Sequence, residues 1–287
     1  MVEGVDLQRV VNKIDKLPTL PYIVTTLSDL LRNPNTSASD IHKIIMKDPA
    51  LSSRILKLVN SAFYGFSERI SSLSHAIVIL GFNTVKNIAL TASVIDIFSK
   101  GGVEEIEFDR KAFWVHSLAV ASTSRLIATK IRLPAVEDIF VGGLLHDIGK
   151  LILDQFVHEK FVEVFKRVQE KNILIKDAEA EVLDGVNHSQ IGGWLAMKWK
   201  LPTPLVQMVG LHHRPALGDQ LIKPIACIHL ADILVRSCDI GTGGDKKIPM
   251  ISKEAWEALG LNEQDIALIM ATMEEELTDT EKILNEE

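Results

Sequence analysis

The stretch GGLLHDIGKL, residues 142–151, sets His146 and Asp147 side by side in an apolar segment, with Lys150 three residues after the aspartate. Burying an imidazole and a carboxylate is costly unless their polar atoms find partners. Two uses fit: a helix end that satisfies one polar pair, or half of a metal site whose other ligands come from elsewhere in the chain. Other candidates stand at His116 in FWVHSLAVA, His188 in NHSQIGGWLA, His212 and His213 in GLHHRP, and Asp232 in IHLADILVR. Taken singly, each is an ordinary core or surface residue. Taken together they are the imidazole and carboxylate ligands that divalent first-row metals prefer, in the number that a two-metal site needs.

The spacing of small residues supports convergence. Gly142 and Gly143 precede His146 by one helical turn, Gly192 follows His188 by one turn, and Ala112 and Ala119 flank His116. Residues three or four apart share a helix face, and a glycine inside a helix costs about 1 kcal/mol relative to alanine. Close helix–helix approach at a shared centre accounts for that cost. Neighbouring helical residues differ by roughly 100°, so His146 and Asp147 can serve one ion, or bridge two, only near the helix axis. Lys150 reaches the same side as Asp147, where a cation suits a phosphate oxygen. Equally, it suits a helix C-terminus.

The elements that carry these residues read as helices, with strand-like alternation nearly absent. TSASDIHKIIMKDP opens with a capping box, Ser37 and Asp40, and ends before Pro49. Before it, Ile23, Leu27, Leu30 and Leu31 fall on one helical face. After it, ALSSRILKLVNSAF places Leu51, Ile55, Leu58 and Val59 inward, and residues 76–98 read as two core helices broken near Gly81. Residues 99–109 combine a glycine pair, a charge run and Asp109 as a candidate N-cap, and mark the best internal boundary. Helices follow at roughly 110–130, 134–149, 154–171, 176–185, 188–199, 203–211 and 223–238; DIGTGGDKKIPM reads as a flexible polar loop. The expectation is an all-α, multi-helix bundle with a helical subdomain at 1–100 packed on a site-bearing region at 101–240, and a C-terminal helical extension at 241–287.

Composition narrows the function. The 287 residues are 47% hydrophobic and 24% charged, with a net charge of −7, which opposes the cationic surface that nucleic-acid binding needs. Two cysteines, Cys227 and Cys238, are too few for a disulfide scaffold and suit a reducing compartment. With no secretory pattern at the N-terminus and no membrane-length apolar run, the reading is cytoplasmic and off the membrane.

At these histidines and aspartates the sequence resembles the HD superfamily of metal-dependent phosphohydrolases, in which an isolated His, an adjacent His-Asp and a distant Asp come in that order. His116, His146–Asp147 and Asp232 match it. His188, His212 and His213 match the additional histidines of two-metal members such as the HD-GYP cyclic di-GMP phosphodiesterases, although no Gly-Tyr-Pro follows HHRP. Ala112 stands where some trinuclear relatives carry glutamate, so the resemblance implies at most two ions. A closer resemblance, over residues 17 to about 236, is to the HDOD output domains of bacterial signalling, carried by LPTLPYIV, KDPALSSRILKLVNSAFYG, ISSLSHAIVILGFNTVKNIAL, FWVHSLAVA, VGGLLHDIGKLIL and HHRP.

That resemblance implies a regulatory protein that binds a signalling partner, with a retained site for one or two divalent transition-metal ions (iron, manganese, nickel or zinc). The alternative is a metal-dependent phosphohydrolase on a nucleotide or cyclic dinucleotide, with Asp147 and Lys150 in catalytic roles. No receiver, sensor or cyclase sequence precedes residue 17, so the signal is expected to arrive non-covalently or through another protein.

Overall fold

The structure, a computed structural model, describes residues 25–26, 36–60, 70–99 and 108–284. Every regular element among them is helical, and no strand occurs among the described residues. The chain divides into two units, one of residues 18–100 and 270–287, the other of residues 1–17 and 101–269.

In the first unit, α1 (Ala38–Ile45) starts at the expected capping box: the Ser37 side chain accepts from the Asp40 amide, and Asp40 Oδ2 accepts from the Ser37 amide at 3.1 Å. Pro49 opens α2 (Pro49–Val59), where its missing N–H costs nothing. Gly81, at φ +79°, separates α3 (Leu73–Leu80) from α4 (Phe82–Ser99), as the apolar run suggested. Leu51, Ile55 and Val59 point inward and join Ile41, Ile45, Ile77, Val85 and Ile88 in a purely aliphatic cluster. The Leu58 side chain and the expected face of Ile23, Leu27, Leu30 and Leu31 lie outside the described residues.

The second unit begins its described part with α5 (Arg110–Lys130), capped by Asp109, whose Oδ1 accepts from the Ala112 amide at 2.9 Å. It continues through α6 (Val136–Leu145), α7 (Ile148–Phe156), α8 (His158–Lys171), α9 (Ile175–Val182), α10 (His188–Lys198), α11 (Thr203–Leu211), a 3₁₀ segment (Pro215–Leu221), α12 (Ile222–Ser237), α13 (Lys253–Leu259) and the start of α14 (Glu263–Leu284). α5 packs along α6 and α12, while α10 packs against α11 and α7.

One element departs from expectation. The helix anticipated at 134–149 is two helices, and His146–Asp147 is the break between them. Asp147 leaves helical geometry at φ −98°, ψ 7°, so the pair forms a corner and α7 leaves in a new direction. Gly149 makes that corner fit. A Cβ there would lie 2.0 Å from the His188 carbonyl oxygen, so only glycine lets α7 touch the start of α10. Gly143 does the same against the Ala121 backbone of α5, where a Cβ would come within 2.9 Å.

Candidate metal centre

All seven expected ligands lie in the second unit, and they converge. Asp147 is at the middle, with its two carboxylate oxygens facing different partners. Oδ2 lies 3.3 Å from His146 Nε2 and 3.8 Å from His116 Nε2; Oδ1 lies 3.0 Å from His188 Nε2 and 3.8 Å from His212 Nε2. Asp232 closes the first half, its Oδ1 3.2 Å from His116 Nε2 and 4.0 Å from His146 Nε2. His213 closes the second, with its Nε2 2.9 Å from that of His188. The donor atoms therefore form two adjacent clusters, His116–His146–Asp147 and His188–His212–His213, each within 4.8 Å, with Asp147 between them.

Ring orientation shows which nitrogens are available. His146 Nδ1 lies 2.6 Å from the Gly143 carbonyl and His212 Nδ1 lies 2.8 Å from the Val209 carbonyl. A carbonyl oxygen only accepts, so in each ring Nδ1 carries the proton and Nε2 presents its lone pair inward. His188 follows the same plan with a carboxylate, Nδ1 lying 2.6 Å from Glu179 Oε2. The inward atoms His116 Nε2, His146 Nε2, His212 Nε2 and Asp232 Oδ1 are buried and make no hydrogen bond among the described residues. Buried polar atoms are rarely left in that state. A set of imidazole and carboxylate donors aimed at common points suits a divalent transition-metal ion.

Electrostatics favour the ligand-ready forms of His116, His212, His213, Asp147 and Asp232, and oppose that form only at His188. Burial lowers the pKa of His116, with Asp232 offsetting it in part. Burial, reinforced by the neighbouring imidazoles, holds His212 and His213 well below the usual histidine value. Burial also opposes charge on His188, but the Glu179 and Asp147 carboxylates outweigh it and the net shift is upward. For Asp147, burial resists ionisation, yet His146, Lys150 and His188 keep the carboxyl well below its ordinary range. Asp232 is likewise held low, against its own burial, by His116 and Arg236.

Lys150 is 1% exposed and donates to Asp147 Oδ2 at 2.5 Å and to the Gly243 carbonyl at 2.6 Å. The second bond belongs to the DIGTGGDKKIPM segment, and here the expectation of a flexible loop is corrected. Residues 239–247 are tied down: the Thr242 amide donates to the Ala112 carbonyl at 3.1 Å, and Asp245 pairs with Arg236 while accepting from the Ile175 amide at 2.8 Å. Gly241, at φ +63°, lies so close that a Cβ would meet the Ala112 oxygen and the His116 nitrogen at 2.4 Å. The glycines permit contact rather than freedom. This strap and the surrounding helices leave His116, His146, His188 and His212 with no exposed surface, and Asp147 and Asp232 with 1% and 3%.

Three supporting residues were not foreseen. Glu179 is one of three acids in KDAEAEV, and only its burial singles it out. Arg236 reads as a helix C-terminal cation but faces Asp232 and Asp245. His229 Nδ1 lies 2.9 Å from the His212 carbonyl and Nε2 accepts from the Ser252 amide at 3.2 Å, which fixes the backbone of one ligand from outside the cluster.

The HDOD domain model matches residues 17–215. The chain belongs to the HDOD family. An HDOD domain protein of Geobacter sulfurreducens of unknown function, seen in a crystal structure, superposes with a TM-score of 0.81 at 25% identity, covering 97% of this chain and 94% of that one. A Shewanella amazonensis SB2B protein provisionally named a phosphohydrolase shares the fold at a TM-score of 0.75 and 23% identity, over 98% of this chain and 100% of that one. An uncharacterised protein of Treponema pallidum is 26% identical over 232 residues, 80% of this HDOD chain and 44% of that protein. The chain spans less than half the length of the curated relatives it matches. No described helix is long and apolar enough to cross a membrane.

Proposed function

We propose that this HDOD protein is a signalling output protein whose His/Asp cluster holds one or two divalent transition-metal ions, and that it acts by presenting its helical surface to a protein partner. The observation that supports this best is the combination of seven convergent donors with the burial of six of them, His213 alone being partly exposed. Donors aimed at two adjacent points suit metal, while a centre shut off by the 239–247 strap suits a structural or sensory ion better than open turnover. His116, His146, Asp232 and Asp147 Oδ2 would hold one ion; His188, His212, His213 and Asp147 Oδ1 would hold the other. Iron, manganese, nickel or zinc each suits mixed nitrogen and oxygen ligands. When bound, such ions supply charge to the protein interior and Lewis acidity at any oxygen that reaches them.

Metal analysis of the full chain, purified from cells and compared with Asp147→Ala, tests the reading. One or two equivalents in the parent and none in the variant are expected. A parent that binds none of the four metals after reconstitution overturns it.

A second reading has one specific observation behind it. Lys150 bridges Asp147 and a backbone carbonyl, and a phosphate oxygen could take the place of that carbonyl if the strap moved. The chain would then act as a phosphohydrolase. With no Gly-Tyr-Pro segment after His213, efficient cyclic di-GMP hydrolysis is not expected. Turnover of cyclic di-GMP or a chromogenic phosphodiester, lost in Asp147→Ala, would decide for this reading.

A further inference from the structure

A cavity lies on the outer side of the strap. Its volume is about 450 Å³, within the roughly 300–1,000 Å³ typical of small-molecule sites. One wall is aromatic: Phe108 and Phe165 stand with ring centroids 6.2 Å apart and planes tilted by 43°. Gln169 and Asn172 add amide donors and acceptors, and Lys246 and Lys247 add two exposed cations. Asp245 also lines the cavity, but Arg236 and the Ile175 and Lys247 amides already hold its carboxylate. The electrostatic character that remains is cationic at one side and apolar at the other.

The wall between this cavity and the metal centre is one backbone thick. Gly243 faces inward: its carbonyl accepts from Lys150, and a Cβ on it would stand 3.7 Å from His116 Nε2. Gly244, the next residue, faces outward. A Cβ there would come within 2.6 Å of Ile175 and 3.6 Å of the Phe165 ring. Thr242 also lines the cavity, while its amide ties the strap to Ala112 one turn before His116. Anything that shifts the outer face of residues 242–247 must therefore act on the Gly243–Lys150 bond and on the cover of the centre.

We propose that this cavity is an effector site for a ligand of the mononucleotide class, with its base against Phe108 and Phe165 and its phosphate toward Lys246 and Lys247. Occupancy moves or clamps the strap and so changes access to the metal centre. Aromatic surface plus a lysine pair selects a ligand with both a flat ring and an anion, which neither a nucleoside nor inorganic phosphate supplies alone. The binding half stands independently, whereas the coupling half rests on the metal-centre reading above.

The test uses the full chain with AMP, GMP, CMP and UMP, and with adenosine and inorganic phosphate for comparison, by calorimetry. At least one mononucleotide should bind with a Kd below about 1 mM, at least about tenfold tighter than the two fragments. The exposed pair Lys246→Ala/Lys247→Ala should weaken it at least about tenfold without loss of helicity. Hydrogen exchange of residues 239–247, read on metal-free protein, should change on binding, as should the rate at which a chelator strips metal from loaded protein. No binding by any mononucleotide, binding unchanged in the double variant, or binding that leaves strap exchange unaltered would each overturn the proposal. A protein that binds nucleotide and shifts its strap but holds no metal would sink the metal-centre reading and leave the effector site standing.

Discussion

The two units bury different chemistry. The cluster formed by α1–α4 is aliphatic, built from Ile41, Ile45, Leu51, Ile55, Val59 and their neighbours. The α5–α12 unit buries four histidines, two aspartates, a glutamate and a lysine around one point, with several of their atoms lacking a hydrogen bond among the described residues. An aliphatic core gains stability from every methyl it covers. A polar one loses stability for each donor or acceptor left over. Among the described residues, the cluster of the first unit is thus held by apolar packing, while the second unit concentrates its buried donors and acceptors at one point.

Several measurements can break or sharpen that contrast. Asp147→Ala should have the largest effect, emptying both halves of the centre because both share its carboxylate. Metal analysis should fall from one or two equivalents to none, with far-ultraviolet circular dichroism still helical. Retention of one equivalent would show that the halves are independent. Asp147→Asn, whose amide oxygen can still accept from Lys150, separates loss of the carboxylate charge from loss of that hydrogen bond. Next, Ile55→Ala in the aliphatic cluster should cost about 2–5 kcal/mol in denaturant unfolding. It should leave the metal content of folded protein unchanged.

Glu179→Gln comes third. The amide still reaches His188 Nδ1 but no longer offers a charge, so metal affinity should drop about 10–100-fold. The loss should fall on the His188–His212–His213 half and spare the other, as read by stepwise titration with zinc or manganese. The smallest effect is on pH dependence. His116, His212 and His213 have folded pKa values lowered beneath the unfolded value of about 6.5. The unfolded chain therefore binds more protons as pH drops through 6.5. The stability that these groups confer is present above that value and is lost as the medium is acidified. Burial lowers His229 as well, so His188, shifted the other way, opposes this with one group against four. Metal-free protein should melt lower at pH 5.5 than at pH 7, and bound metal should enlarge the difference.

The candidate ligands were legible because metal chemistry uses few residue types, and His116, His146–Asp147, His188, His212–His213 and Asp232 were all visible in one chain. The capping box at Ser37, the Asp109 cap and the break at Gly81 were legible because each depends on local backbone chemistry. The corner at His146–Asp147 was hidden, since IFVGGLLHDIGKLIL keeps its apolar character across the turn and periodicity cannot register a two-residue break. Glu179 was hidden because its partner is fixed by packing rather than by spacing. The strap is not legible in the sequence because glycines that permit contact look the same there as glycines that permit motion.

On the proposed reading, the carboxylates around the centre would also govern how many ions it holds. Asp147, Asp232 and Glu179 exceed Lys150 by two negative charges, and the Arg236–Asp245 pair is neutral in itself. With the imidazoles neutral, as ligands must be, a single divalent cation brings the interior to electroneutrality. A second leaves two positive charges in a low-dielectric space, where uncompensated charge is expensive. Two-ion loading would therefore require an accompanying anion, so metal stoichiometry above one should depend on hydroxide or phosphate in the buffer.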